Sequence, residues 1–186
     1  MIWIKYLLIS IGVLLLVGIG AVLVTQRVSD GPIEMLQGGP FKTGEVVEGP
    51  VTDWSFGVGK PTEFELEGFG TSRTAGYIMH EGQAYMTCDL GFIWNRLDSG
   101  TSKLILNTIY IFKDWHHKAV EDGRIRLRIE DKIYSAQLVK VEDETLNAAL
   151  RSELEKLART YFAPRELGPP PTEAPNDVWF FRMDPR

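Results

Sequence analysis

The sequence has little cysteine and no excess of positive charge. Its single cysteine, Cys88, cannot form an intramolecular disulfide. The 20 Lys and Arg residues are outnumbered by 25 Asp and Glu residues, and the sequence pI is near 5.3. Nucleic-acid binding depends on clustered basic residues, because phosphate contacts supply most of the affinity. We therefore expect no nucleic-acid partner.

The motifs of common catalytic and metal sites are also missing. Neither G-x-x-x-x-G-K-[ST] nor G-x-G-x-x-G occurs, which removes the usual nucleotide-binding loops. A G-x-S-x-G nucleophile elbow is missing too, so a serine hydrolase has no support. C-x-x-C and H-E-x-x-H patterns are absent, and the adjacent His116 and His117 would diverge by ~100° on a helix. We expect no metal site.

The sequence does contain one long apolar run, Tyr6 to Val24. As a helix, this uncharged run would span ~28 Å, close to the hydrocarbon thickness of a bilayer. A cleaved signal peptide is the alternative, but its apolar core is only ~7–15 residues long and ends in a small-x-small site. We predict a retained single-pass anchor over residues 1–28. If its short head stays in the cytoplasm, the rest of the chain lies on the periplasmic side of a bacterial inner membrane.

Turn-forming Gly and Pro residues are frequent in residues 29–52, which we interpret as a spacer. Residues 53–186 then form one domain, long enough to bury a core without disulfides. At its start, the aromatic side chains of "DWSF", Asp53 to Phe56, are expected to close the end of that core.

Several short segments alternate apolar and polar residues, as half-buried strands do. In "TEFELEG", from Thr62 to Gly68, the glutamates are expected to form a solvated face. A hairpin is predicted from Thr74 to Thr87, and a second from "RIRLRIE" through an Asp131-Lys132 turn into "IYSAQLVKV". Short strands joined by tight turns indicate a mainly β fold, an antiparallel barrel with added helices.

The arginines of "RIRLRIE" lie on one face of their strand, ~6.6 Å apart. Two interpretations remain open. Arg124, Arg126 and Arg128 form an exterior ladder with the glutamates of the strand that begins at Thr62, or one of them holds a phosphate.

The C-terminal third combines a helix with a closing strand. Leucines at steps of three and four predict a helix over 143–162, with Asp143 as N-cap. The prolines of residues 166–175 predict an extended segment, and "DVWFFRMDPR" a terminal strand. Residues 88–112 form an aromatic insert that needs a surface to cover, either a pocket or the bilayer.

The pattern of "TEFELEG", "TAGYIMHEGQAYMTC", "WHHKAVEDGRIRLRI", "KIYSAQLVKV" and "VWFFRMDPR" resembles the split β-barrel flavin-binding superfamily, that of pyridoxamine 5'-phosphate oxidase and its deazaflavin-using relatives. The resemblance covers roughly residues 52–186. It is closest to membrane-anchored bacterial members with "DWSF" after the spacer. The resemblance implies a split barrel, a homodimer, and FMN or a deazaflavin bound where basic side chains hold the phosphate.

The activity that this resemblance implies is that of an oxidoreductase, with the redox chemistry supplied by the cofactor. Relatives carry a K-x-x-N-L context at the helix that touches the phosphate, and here the matching stretch is "DWHHKAV". The cofactor-binding residues implied by the match are Arg73, Lys113, Trp115, His116, His117 and Lys118. The alternative is a cofactor-free module that serves as a scaffold subunit of a membrane complex, with the 88–112 insert as its contact surface.

Overall fold

The computed structural model describes residues 2–33, 36–93, 96, 113–161 and 177–186. It begins with one long helix, α1 (Ile2–Val28), of 27 residues. At a rise of ~1.5 Å per residue, a helix of this length exceeds the ~30 Å hydrocarbon core of a bilayer. Within Trp3–Val28 its most apolar window has no buried residue. The chain therefore has one N-terminal helix that is long and apolar enough to cross a membrane.

The remaining described residues form mainly one antiparallel sheet that curls into a half-barrel with added helices, as predicted. Its strands are β1 (Glu45–Val46), β2 (Thr62–Leu66), β3 (Thr71–Thr74), β4 (Tyr77–His80), β5 (Gln83–Asp89), β6 (Arg124–Ile129), β7 (Lys132–Lys140) and β8 (Val178–Pro185). The strands lie in the order β3-β2-β6-β7-β8-β5-β4, and β1 adds to β7 in parallel. Two further helices are α2 (Trp115–Glu121) and α3 (Glu144–Tyr161).

Each face of the curled sheet has its own apolar core. The inner core lies under α2 and includes Trp54, Phe64, Leu127, Phe181 and Met183, all at most 1% exposed. The outer core lies between α3 and the strands β4, β5 and β8, and includes Tyr85, Phe180, Leu150 and Leu154. Of the two aromatic side chains of "DWSF", Trp54 closes the inner core as the sequence predicts, whereas Phe56 is exposed. The Trp54 carbonyl accepts a hydrogen bond from the Tyr77 hydroxyl at 2.7 Å.

Local sequence signals locate the turns and the helix start to within one or two residues. The first hairpin turns at Glu81 and Gly82, both at positive φ, as a two-residue hairpin loop of this kind requires. The second turns at Glu130 and Asp131, one residue earlier than predicted. Asp143 caps α3 as expected, because its carboxylate accepts the Leu146 N–H at 2.8 Å. Most of the 88–112 insert and the proline-rich 166–175 segment lie outside the described residues.

The arginine ladder is confirmed for Arg126 and Arg128 but not for Arg124, which contacts Asp122 instead. The expectation that the glutamates form a solvated face is wrong for Glu65. The register pairs Glu65 with Arg126 and Glu63 with Arg128, and both pairs are in contact at 2.6 Å. Glu65 is only 3% exposed, because residues from the predicted spacer cover the ladder. We call residues 29–33 and 36–43 the buttress. The buttress contributes the buried Phe41, whose N–H donates to Glu65 Oε2 at 2.7 Å.

Candidate functional site

The short helix α2 carries the "WHHKAV" stretch and lies inside the curve of the sheet. Trp115 fixes its position: the indole is 3% exposed and packs against Phe64, at 4.8 Å between ring centroids, and against Phe181, at 5.4 Å. Aromatic contacts of this kind add to the burial energy of the ring. Of the six predicted cofactor contacts, Trp115 therefore lies within the core, where it holds the rest of α2 in place.

Three aromatic rings converge beside Trp115. The His116 and His117 rings contact each other at 4.1 Å between centroids, so the two side chains diverge less than expected. Trp179, on β8, meets both edge-on, at 4.7 Å from His116 and 5.3 Å from His117. The Lys140 ammonium lies 4.4 Å from the centroid of the Trp179 ring, a cation–π distance. We call His116, His117, Trp179 and Lys140 the ring cluster.

His116 is the most buried polar member of the ring cluster, at 5% exposed. Its Nδ1 atom is buried and has no hydrogen-bond partner among the residues that the structure describes. Burial, together with the electrostatic effect of the neighbouring His117 and Lys113, lowers the pKa of His116 to about 4. The imidazole is therefore neutral near pH 7, with one nitrogen free to donate or accept a hydrogen bond.

The predicted basic residues gather around Asp114, the residue before α2. Its carboxylate contacts Arg73 at 3.3 Å and Lys118 at 2.8 Å. The pKa of Asp114 is lowered: burial alone would raise it, but the cationic neighbours outweigh that effect. Lys113, on the other side of Asp114, donates to the Asp89 carbonyl oxygen at 2.6 Å. The structure thus brings Arg73, Lys113 and Lys118 to the first turn of α2.

Two neighbouring groups on β5 have raised pKa values. Cys88 is fully buried, and burial raises the pKa of its thiol to about 12, so no thiolate forms near neutral pH. Burial also raises the pKa of Asp89, whose carboxylate accepts the Gly91 and Ile93 N–H groups and fixes the turn after β5.

A groove of about 390 Å³ opens beside Trp179, where β7 ends and β8 begins. Its wall on the other side is the first turns of α3, and its lining includes Lys140, Asn147, Arg151, Trp179 and Phe180. Small-molecule sites commonly have volumes of roughly 300–1,000 Å³. Of the ring cluster, Trp179 and Lys140 line the groove. His116, His117 and the basic side chains at the first turn of α2 do not.

Several members of this site were not found from the sequence. Asp114 lies within the quoted motif, and a carboxylate between two lysines was a signal that could have been used. Trp179 and Lys140 are distant from α2 in the chain, and only the pairing of β8 with β5 and β7 brings them to it. No group of three or more His, Cys, Asp or Glu side chains that could hold a metal ion occurs among the described residues.

Comparison of the chain with protein-family models, curated proteins and solved structures gives no match. The class that the structure defines is an antiparallel half-barrel behind one apolar N-terminal helix.

Proposed function

We propose that this protein is a membrane-anchored half-barrel that binds FMN or a deazaflavin at the ring cluster and acts as an oxidoreductase through it. The observation that carries the proposal is the convergence of His116, His117 and Trp179 beside basic side chains, with His116 Nδ1 buried and unpartnered among the described residues. A buried polar atom without a partner is costly, and such atoms are commonly satisfied by a ligand or ordered water.

The chemistry of the cluster fits both ends of such a cofactor. The half-buried Trp179 offers an aromatic surface for a planar ring, and it also lines a groove of a suitable size. Arg73, Lys113 and Lys118 carry three positive charges against the carboxylates of Asp114 and Asp89. The surplus positive charge favours a phosphate, for which Arg also offers a bidentate fork.

Each side chain has a distinct role in this proposal. His116, buried and neutral at pH 7, supplies a hydrogen bond to a polar atom on the ring edge. Lys118 and Arg73, oriented by Asp114, hold the phosphate. When bound, a flavin or deazaflavin supplies the hydride-transfer chemistry.

We further propose that α1 crosses a bacterial inner membrane once, with the sheet on the periplasmic side. The exposed apolar side chains along α1 support a lipid environment, since their contact with water would be energetically unfavourable. A Glu48→Cys variant tests the orientation, because Glu48 is exposed and the native Cys88 is buried. A maleimide that cannot cross membranes should label this variant in intact cells. Labelling that occurs only after lysis would mean that the sheet lies on the cytoplasmic side.

The second candidate is a cofactor-free scaffold subunit of a membrane complex. One observation favours it: the basic side chains already have partners within the protein, Asp114 for Arg73 and Lys118, and the Asp89 carbonyl for Lys113. A phosphate would have to compete with these contacts. Under this candidate the protein copurifies with other membrane subunits or with a second copy of itself, and carries no flavin.

Titration of the detergent-solubilised full-length protein with FMN and with a deazaflavin separates the two candidates. We expect saturable quenching of cofactor fluorescence, with about tenfold weaker binding in His116→Ala and in Lys118→Ala, the loss typical of one hydrogen bond or charge contact. His80→Ala and Lys156→Ala are matched controls, since these residues lie on β4 and on α3. Equal cofactor affinity in all four variants would mean that the site lies elsewhere on the protein. No cofactor binding by the wild-type protein would favour the scaffold candidate.

A further inference from the structure

The buttress lies between the end of α1 and the edge of the sheet. The Gly39 N–H donates to the Ser29 hydroxyl at 2.9 Å, and a Cβ added to Gly39 would lie 2.8 Å from the Arg27 carbonyl oxygen. On its other side, Gly38 and Ser72 exchange two backbone hydrogen bonds, at 3.0 and 3.1 Å. The last turn of α1 and strand β3 are therefore joined through two adjacent glycines.

An ion network holds the buttress in place. The Asp30 carboxylate accepts the Lys42 N–H at 2.7 Å and a guanidinium N–H of Arg128 at 2.9 Å. Burial alone would raise the pKa of Asp30, but hydrogen bonds from Lys42, Thr43 and Arg128 hold it well below its ordinary value. Arg128 also lies over the ring of Phe41, at 4.4 Å from the centroid. Because Arg128 lies on β6, this network attaches the buttress directly to the sheet.

The buttress also reaches the candidate site. Gln37 Oε1 accepts a hydrogen bond from the Arg73 guanidinium at 2.8 Å. Arg73 follows Ser72 on β3, and the same guanidinium contacts Asp114 at the start of α2. Arg73 is thus held by Gln37 from the buttress and by Asp114 from the helix that carries His116.

We infer that the buttress is a component of the ligand site, in which Gln37 is a positioning residue that presets Arg73 and the Asp30–Arg128 contact holds Gln37 in place. A guanidinium fixed from two sides loses little conformational freedom when an anion binds, so its positioning raises affinity. The part of this inference that concerns affinity depends on the proposed cofactor binding. The part that concerns the position of Arg73 does not.

The test uses the full-length protein in detergent, with NMR of the histidine rings as a readout that needs no ligand. The chain has only three histidines, so His116 and His117 report on the site and His80 is an internal control. The variants are Gln37→Ala, which removes the acceptor, and Gln37→Glu, which retains it. Gln83→Ala is the matched control, because Gln83 bonds instead to the Met183 carbonyl oxygen. Hydrogen exchange at the Gly38 and Phe41 amides reports whether the buttress is packed against the sheet.

We expect Gln37→Ala to shift the His116 and His117 resonances, to leave His80 unchanged, and to weaken FMN binding about tenfold. Gln37→Glu should restore the resonances. Arg128→Met should accelerate exchange at Gly38 and Phe41 and shift the same two resonances in the same direction. If that variant does not fold, the Gln37 series decides alone.

Two failures are distinguishable. Resonances of His116 and His117 that match the wild type in Gln37→Ala would overturn the inference, whatever the affinity for FMN. A wild-type protein that binds neither FMN nor a deazaflavin, but whose histidine resonances respond to Gln37, would contradict the proposed function and leave the positioning of Arg73 by the buttress standing.

Discussion

Two charged clusters lie on the same curled sheet and differ in how their groups are satisfied. On the outer face, Arg126 and Arg128 meet Glu65 and Glu63 at 2.6 Å under the cover of the buttress. Arg126 Nε has no acceptor among the described residues, but Glu65 neutralises the charge of its guanidinium. At the inner end, by contrast, His116 is buried and neutral with an unpartnered nitrogen.

In the proposed function, the first cluster serves the fold and the second serves a ligand. Removing one partner of a paired and covered charge costs stability, and such pairs leave little capacity to bind another molecule. A buried polar atom without a partner costs stability, so its retention is a reason to look for function there. Substitutions that break the first cluster should therefore change the free energy of unfolding. Substitutions in the second cluster should change ligand binding or the pH dependence of stability.

The largest effect is expected for Trp115→Ala. This indole is the part of the "DWHHKAV" stretch that belongs to the core, where it packs between Phe64 and Phe181. Its removal should lower the free energy of unfolding by about 4 kcal/mol, measured by urea denaturation with and without FMN. Trp179→Ala is the comparison, and we expect it to cost less stability because Trp179 is only half-buried. Equal losses would contradict the division between core and site.

The next effect is expected for Arg128→Met, which leaves Glu63 and Asp30 without their cation. The Arg128 side chain is 13% exposed, so its removal should cost about 3 kcal/mol of unfolding free energy. Arg182→Ala is the control, since its pair with Asp184 is solvent-exposed and should contribute below about 1 kcal/mol. A loss no greater than that of the control would mean that the buttress adds nothing to the fold.

The third prediction concerns pH. The pKa of His116 is lowered from 6.5 to about 4, so below pH 6.5 the unfolded chain takes up a proton that the folded protein does not. Stability should fall as the pH drops from about 6.5 to about 4, by up to about 3 kcal/mol, and this contribution should be constant above that window. His116→Gln should remove it, as seen in the difference between the two stability curves. Parallel stability curves for the wild type and His116→Gln would contradict this prediction and would mean that His116 is in contact with solvent.

The smallest effect is expected for Arg124→Ala. Arg124 shares the alternation of Arg126 and Arg128 but contacts Asp122, at an exposed position away from the buttress. We expect urea denaturation to show no change in the free energy of unfolding. A loss comparable to that of Arg128→Met would show that the ladder, and not its cover, determines stability.

Local sequence signals predicted the longer strands, the two hairpins and the cap of α3, because these features depend on neighbours in the chain. They did not predict β1, which lies in the expected spacer, or β3. Of the two interpretations of the arginine row, the ladder holds for Arg126 and Arg128. Local signals did not predict that Glu65 is buried, since the layer that covers it comes from a Gly- and Pro-rich segment without periodicity. Prolines and glycines indicate turns, but they carry no information on where a turning chain packs.

The candidate site was only half accessible to the same reasoning. The motif on α2 supplied His116, His117 and Lys118, and strand β3 supplied Arg73. Trp179 required the register of β8 against β5, in which Cys88 faces Trp179, and such long-range pairing is not encoded by local alternation. Gln37 required the position of the buttress.

The most direct test of the central claim is to identify the small molecules released from purified full-length protein, by mass and visible spectrum, beside an identical preparation of His116→Ala. We predict FMN or a deazaflavin in the wild-type protein and a marked loss of it from the variant. Wild-type protein that carries neither and takes up neither when they are added would contradict the account, and the buried His116 would then be a structural residue of a scaffold.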